Sequence, residues 1–392
     1  MLATPPLGLY VHFPWCVRKC PYCDFNSYTL HGGLPEDAYV EALLADMREQ
    51  AQRVAGRPLV SVFMGGGTPS LFSPAAIGRV LAGARAIFSF EPGIEITLEA
   101  NPGTIERGRF EGYAGAGVNR VSLGAQSFGA AQLAALGRIH SPDDTRRAVA
   151  ELKAAGLANF NLDLMYGLPG QDEAGARSDL AQALALEPTH LSHYSLTMEP
   201  GTPFHAQPPP LPDDELVERM LAACAVDLDA AGLGHYEVSA YARPGRESRH
   251  NLNYWTFGDY LGVGAGAHGK LTDAAAGVIV RTTRTREPRR YLAGTGAMDK
   301  TVAAAELPFE FMVNALRLVD GVDPALFEAR TGLPRTAVAQ TLAGLAARGL
   351  LEVDESRWRP TALGRRFLNE LLLDFLGKPE PAGNTKLSSL PG

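Results

Sequence analysis

Cys16, Cys20 and Cys23 stand in a C-x3-C-x2-C arrangement within the segment YVHFPWCVRKCPYC. That spacing lets one loop deliver three thiolates to three irons of a [4Fe–4S] cubane and leaves the fourth iron without a protein ligand. A cluster serving only electron transfer normally takes four thiolates, whereas an open iron can chelate the amino and carboxylate groups of a small molecule. A zinc loop with a remote fourth ligand is the alternative, although structural zinc favours paired C-x2-C units. The chain holds four cysteines in all. Three of them gathered in one loop suit a metal site in a reducing compartment better than a disulfide framework. Cys224, alone in the apolar run LAACAV, reads as a small buried side chain.

A second chemical feature is the run MGGGTP at residues 64–69, which follows a β-type segment. Its glycines let the backbone approach a ligand closely and adopt positive φ. By itself such a run is only a tight turn or a phosphate cradle. Together with the cysteines it fits a loop that hydrogen-bonds the amino group of S-adenosylmethionine held at the open iron.

These residues need a scaffold, and the pattern around them supplies one. Up to about residue 269 the chain alternates short apolar, β-branched runs with helix-patterned segments. Strands are predicted at residues 9–13, 59–64, 94–100, 120–124, 159–165 and 190–196. A helix is predicted over 36–54, with Val40, Leu43, Leu44, Met47 and Ala51 on one face. Such alternation means parallel strands joined by crossover helices, in an open doubly wound sheet or a full or partial (β/α) barrel. Gly65 to Thr68, Glu99, Gln126 and Asp163 fall at or near the ends of successive strands, which favours the barrel. The glycine- and aromatic-rich stretch 235–269 reads as strands and loops closing one side. A barrel is thus expected over 1–270, a linker over 271–302 and a helical, winged-helix-like domain over 303–377. Within the last, helices are predicted at 324–330 and 335–348, a hairpin at 350–359 and a final helix at 363–376. The tail 378–392 reads as disordered.

The length of 392 residues suits a large domain with a smaller one, and the net charge of −7 argues against nucleic acid as the main partner. The expected recognition helix of the winged-helix region is mainly Ala, Leu, Thr and Val, which points the same way. There is neither a basic and apolar leader at the start nor an unbroken apolar stretch long enough to span a bilayer, so the expected location is cytoplasmic.

The cysteine triplet, the GGGTP loop and the segment LEANPGT resemble the radical S-adenosylmethionine superfamily. More narrowly, the order YVHFPWC, MGGGTPS, LEANPGT, RVSLGAQSF, DLMYGLPGQ and HNLNYW resembles the oxygen-independent coproporphyrinogen III oxidase group, from about residue 9 to about 376. The resemblance implies an α/β fold with a partial TIM-like (β/α) barrel. It also implies S-adenosylmethionine contacts at Tyr10, Tyr22, Gly66, Gly67, Thr68, Glu99, Gln126, Arg138 and Asp163. Each polar residue taken singly could equally be a satisfied group at a barrel rim. In the oxidases of this group a further cysteine, tied to their activity, follows one residue after the third. Here Asp24 and Phe25 follow Cys23.

The run His250 to Trp255, HNLNYW, is similar to the HNxxY motif of the HemW family of heme chaperones, which implies heme contacts at His250 and Tyr254. Histidine and tyrosine are both axial ligands of heme iron, while a satisfied core histidine is the structural alternative. Nothing in the spacing of His12, His140, His193 or His268 selects another ligand. The implied function is to hold heme, a [4Fe–4S] cluster and S-adenosylmethionine and to transfer heme to apo-hemoproteins such as respiratory enzymes. Membrane association would then be peripheral, through those partners, and a homodimer would suit a flat, two-faced ligand. The rival is radical oxidative decarboxylation of coproporphyrinogen III.

Overall fold

A computed structural model describes residues 2–54, 56–104, 108–294 and 296–376. It divides into two compact units, one spanning Thr4–Thr301 and the other comprising, among the described residues, 2–3 and 302–376.

The larger unit is built on six strands in chain order: β1 (Leu7–Phe13), β2 (Leu59–Gly66), β3 (Phe90–Ala100), β4 (Arg120–Gln126), β5 (Phe160–Tyr166) and β6 (His190–Ser195). Each is parallel to the next. Helices α1 (Glu36–Ala51), α2 (Pro74–Ile87), α3 (Arg109–Ala116), α4 (Pro142–Ala154) and α5 (Glu173–Ala185) lie in the crossovers. Because right-handed crossovers always progress in one direction here, their helices stack on one face of the sheet. A doubly wound sheet requires a reversal of strand order, and none occurs among β1 to β6. The architecture is therefore the partial barrel.

The period-two alternation of the strands separates the two faces. Leu9, Val11, Phe13, Met64, Leu98 and Leu123 are buried in the apolar core shared with the helices. The residues between them, among them Tyr10, His12, Glu99, Ser122 and Asp163, face the lumen. A one-residue slip would exchange these sets, so burial of the helix-facing set fixes the register that presents the polar one.

The segment after α6 (Asp214–Ala230) joins both margins of this sheet. Strands β7 (Gly234–Glu237) and β8 (Ala240–Ala242) extend it antiparallel beyond β6. The chain then crosses through the short helix α7 (Arg249–Trp255), and β9 (Asp259–Val263) pairs parallel with β1. The expected linker at 271–302 is corrected by the structure: it carries sheet. Strands β10 (His268–Asp273), β11 (Val278–Arg284) and β12 (Ala297–Thr301) continue antiparallel from β9. Buried pairing holds them there, with Lys270 Nζ 2.9 Å from Asp259 Oδ1 and Arg284 Nη2 2.7 Å from Asp46 Oδ1.

In the smaller unit, α8 (Leu307–Ala315), α9 (Pro324–Thr331) and α10 (Ala339–Ala347) precede a hairpin of β13 (Leu351–Val353) and β14 (Trp358–Pro360). Phe327 packs against both Phe311 and Trp358 at 5.3 and 5.7 Å between ring centroids. The single final helix expected at 363–376 is two, α11 (Ala362–Arg366) and α12 (Leu368–Leu373), broken at Phe367. The tail at 378–392 lies outside the described residues. Among those described, no helix is long and apolar enough to cross a membrane.

Candidate functional site

Cys16 ends the two-residue strand Trp15–Cys16, which pairs parallel with Tyr28–Thr29 and so closes the base of the cysteine loop. Within the loop, Cys23 N–H donates to Cys20 O at 3.2 Å, and Lys19 Nζ donates to Phe25 O at 3.0 Å and Ser27 O at 3.2 Å. All three thiols are free and half-buried. Among the described residues no group of three His, Cys, Asp or Glu side chains converges on a point that would hold a single ion. A cubane instead takes one thiolate at each of three separate irons. Burial pushes the Cys16 and Cys23 thiols up, so their ionised forms need a cation to stabilise them.

The glycine loop is joined to the cysteine loop through backbone. Gly67 N–H donates to Phe13 O at 2.7 Å and Thr68 N–H to Trp15 O at 2.8 Å, bracketing the residues just before Cys16. Gly66 holds φ +111°, a conformation that side chains oppose, and a Cβ there would fall 2.4 Å from the His12 ring. Its N–H donates to Glu99 Oε2 at 3.1 Å.

The lumen residues complete the wall. Arg138 Nη2 donates to Gly124 O at 2.8 Å while Nη1 lies 3.7 Å from Cys20 Sγ, and among the described residues its buried Nε has no hydrogen-bond partner. A buried guanidinium beside a thiol, with a donor unspent, fits a site that receives negative charge. Gln126, at the end of β4, takes the left-handed φ of 65°, unusual for a residue with a side chain, and its Oε1 accepts from Tyr194 OH at 2.8 Å. Asp163 accepts from Asn161 Nδ2 at 2.7 Å and Ser122 Oγ at 3.2 Å. Tyr22 lies beside Phe204 at 6.4 Å. One cavity is lined by the three cysteines together with Tyr22, Gly66, Gly67, Thr68, Glu99, Gln126, Arg138 and Asp163.

Burial, and then the negative charge of Asp163, push the Glu99 carboxyl up to about 8. Tyr10, Tyr254 and Tyr194 face it from β1, α7 and β6 without supplying a positive charge. The folded chain thus holds a proton that the unfolded chain releases near an ordinary carboxyl pKa of about 4.3. Stability conferred below that value is lost as pH rises through about 8. Thermal melts without S-adenosylmethionine should show Glu99→Gln gaining about 1–2 kcal/mol over the native chain between about pH 6 and 9, after allowance for solvent at the half-buried carboxyl. Parallel pH profiles for the two proteins would remove the buried charge from this account.

A larger cavity of about 480 Å³ adjoins the first, sharing Gly66, Glu99 and Phe25. Tyr10, Phe63, Tyr254 and Tyr260 give it an aromatic wall, and His12, His268 and Arg286 also line it. Tyr10, expected beside S-adenosylmethionine, lines this cavity rather than the cysteine-lined one. Its hydroxyl is 2.7 Å from His12 Nδ1.

Tyr254 reaches the cavity as expected, but His250 does not. Its ring is buried flat against Phe63, with centroids 4.2 Å apart. Nδ1–H donates to Glu95 Oε1 at 2.9 Å, and Ser248 Oγ lies within 3.2 Å of both ring nitrogens. Burial lowers the His250 pKa, so the ring is neutral at neutral pH. Against the effect of burial, the His250 hydrogen bond and Arg120 keep Glu95 ionised well below the usual carboxylate range. The direct heme contact expected of His250 is therefore not available in this geometry. The first turn of α7 uses this side chain to anchor itself to β3.

Sequence reasoning also missed Phe63, Tyr260, Arg286 and Tyr194, which line the cavities from positions outside the recognised motifs. Their lumen-facing register was the available signal for Phe63 and Tyr194. Tyr260 lies in the stretch 235–269 read as strands and loops closing the barrel, but without a register that would aim it, and Arg286 sits in the loop after β11, inside the supposed linker.

Comparison with known proteins agrees with this geometry. The Radical SAM superfamily model matches residues 10–182 and that of the HemN C-terminal domain matches 302–367. The heme chaperone HemW of Escherichia coli (strain K12) is 48% identical over 379 residues, covering 96% of this chain and 100% of the relative. The radical S-adenosyl methionine domain-containing protein 1, mitochondrial, of Mus musculus is 36% identical, covering 99% and 91% respectively. Among solved structures, coproporphyrinogen III oxidase (HemN) from Escherichia coli superposes with a TM-score of 0.80 at 24% identity over 95% of this chain and 91% of that one, a likeness of fold. With near-complete coverage at such identity, the chain belongs to the family of the heme chaperone HemW, within the radical SAM superfamily.

Proposed function

We propose that this chain is a heme chaperone: it binds heme, a [4Fe–4S] cluster and S-adenosylmethionine, and passes heme to apo-hemoproteins, respiratory enzymes among them. The observation that carries this reading is the pair of adjoining cavities, one bearing the three thiols and the other large and aromatic. Ligand cavities of about 300–1,000 Å³ with apolar walls and a few polar groups are the usual form of a small-molecule site. The name of the relatives that match along nearly the whole chain supports heme as the cargo.

In this reading Cys16, Cys20 and Cys23 ligate the cluster. When bound, the cluster and S-adenosylmethionine supply one-electron chemistry. Gly66, Gly67 and Thr68 offer backbone to the methionyl end of S-adenosylmethionine. Glu99 can meet its ammonium, which would draw the carboxyl back to its ionised form. Arg138 balances the negative charge of the thiolate-bound cluster, and Gln126 and Asp163 position polar parts of the cofactor. Tyr22 covers the cysteine loop, and Tyr10 lies where the two cavities meet. Phe25, at 59% exposure, occupies the position at which an oxidase of the group carries its extra thiol. The location in this reading is the cytoplasm, any contact with a membrane runs through the acceptor, and a homodimer is the assembly proposed.

The test is anaerobic reconstitution of the cluster, followed by heme titration read from the Soret band and, in parallel, coproporphyrinogen III turnover with S-adenosylmethionine and a reductant. Heme uptake and transfer to an apo-hemoprotein, with no turnover, is the expected result. Turnover without heme uptake would replace this function by the oxidase.

A further inference from the structure

Three histidines lie at or beside the aromatic cavity, and their nitrogens are not equally committed. His250 is held by Glu95 and Ser248 behind Phe63. His12 uses both nitrogens, Nδ1 with Tyr10 OH at 2.7 Å and Nε2 with Asn26 O at 2.9 Å. His268 is different. It lines the cavity from the first position of β10, it is exposed, and its one hydrogen-bond partner among the described residues is Thr283 Oγ1, 3.5 Å from Nδ1. Among the described residues its Nε2 has no hydrogen-bond partner. A ring with one nitrogen steadied by a weak contact and the other open is the arrangement that metal-ligating histidines use.

The sequence GVGAGAHG makes this presentation possible. Gly264 and Gly266 hold φ of 102° and 83°, turning the chain sharply between β9 and β10. A Cβ at Gly264 would fall 2.4 Å from His12 O, and one at Gly266 would fall 2.1 Å from Asn26 Nδ2. The turn is thereby seated against both β1 and the cysteine loop, and it places His268 at the cavity edge. Arg286 lines the same cavity, its Nε donating to Asn26 Oδ1 at 3.3 Å. A guanidinium there is suited to a carboxylate on the ligand's rim.

We infer that His268, and not His250, is the axial ligand of the heme iron, with the macrocycle against Tyr254 and Tyr260 and a propionate toward Arg286. This rests on the heme-chaperone reading above and adds to it the ligand and the orientation. His250 becomes a positioning residue: it fixes α7, and α7 carries Tyr254. Partial desolvation against the cavity wall, with the positive charges of Arg281 and Arg286, lowers the His268 pKa and favours the neutral imidazole, the form that binds iron.

The test compares hemin binding by the native chain, His268→Ala and His250→Ala, read by the Soret titration and by the electron paramagnetic resonance signature of histidine ligation. His268→Ala should weaken heme affinity by about tenfold or more and lose the signature, and added imidazole should restore it. Its melting temperature and cluster spectrum should stay unchanged, since the ring is exposed and belongs to neither the core nor the cysteine loop. His250→Ala should melt earlier yet keep the signature, and Phe at 250 provides a bulkier second variant if Ala does not fold. A native chain that binds heme with a histidine signature surviving in His268→Ala overturns the inference but leaves the chaperone reading standing. Loss of the signature in His250→Ala or His250→Phe, with His268→Ala unaffected, also overturns it. A native chain that takes up no heme overturns the chaperone reading itself.

Discussion

Replacing Cys20 by Ser should erase the visible absorption of the reconstituted protein and reduce its bound iron and sulfide to background. Ser is nearly isosteric with Cys, so the loop itself should survive. Its closing bonds are backbone bonds, Tyr28 N–H to Pro14 O at 2.7 Å and Leu30 N–H to Cys16 O at 2.8 Å, and neither involves the Cys20 side chain. What changes is ligand chemistry: a neutral hydroxyl replaces a soft thiolate, and only two thiolates remain for three irons. Arg138 sharpens the expectation. Its guanidinium, 3.7 Å from Cys20 Sγ, is placed to stabilise a thiolate there, and with Ser it would face an uncharged oxygen. The measurement is the absorption spectrum with iron and sulfide analysis, alongside a melt showing the variant folded. A cluster retained in full by a folded Cys20→Ser protein would show that this loop is not its ligand set.

The same residues show why so much of the site was legible in the sequence. Lumen-facing positions on parallel strands are spaced by two, and the residues that gather at the strand ends belong to short, distinctive segments such as MGGGTP and LEANPGT. Once the helix-facing residues of β1 to β5 are buried, the placement of Glu99, Ser122 and Asp163 follows from register alone. Strands β10 to β12 were illegible for a physical reason. Their sequences, HGKLTD, VIVRTTR and AMDKT, hold charges that a half-buried strand normally excludes. Those charges are accommodated by partners on other elements, Lys270 by Asp259 on the neighbouring strand and Arg284 by Asp46, 238 positions away in α1. The second cavity was hidden likewise, since its wall joins Tyr10 and Phe63 to Tyr260 and Arg286, from opposite ends of the larger unit's sequence. His250 illustrates the opposite case. Its motif was visible, but a histidine that anchors a helix and one that faces a ligand look alike until the ring's neighbours are known.

Substituting Gly67 by Ala should be strongly damaging to the larger unit. Its neighbour Gly66 is constrained by φ, but Gly67 itself is limited by space: a Cβ would stand 2.6 Å from Trp15 O and 2.8 Å from Phe13 O. Both obstacles are backbone, so no rotamer change relieves the contact. These carbonyls are also the acceptors for Thr68 N–H and Gly67 N–H, the two bonds that join the glycine loop to the cysteine loop. Separating the strands enough to admit the methyl loses both bonds, at about 1 kcal/mol each, and adds about 1–3 kcal/mol of overpacking. A destabilisation of about 3–5 kcal/mol is expected in a denaturant melt, together with loss of S-adenosylmethionine binding, because the displaced segment leads directly into Cys16. Gly115→Ala in α3 is the matching control. Its Cβ would meet nothing within 4 Å, and in a helix it should raise stability by about 0.5–1 kcal/mol. If Gly67→Ala proves as benign as Gly115→Ala, the glycine loop does not hold the cysteine loop in place, and the two halves of the site must be positioned independently.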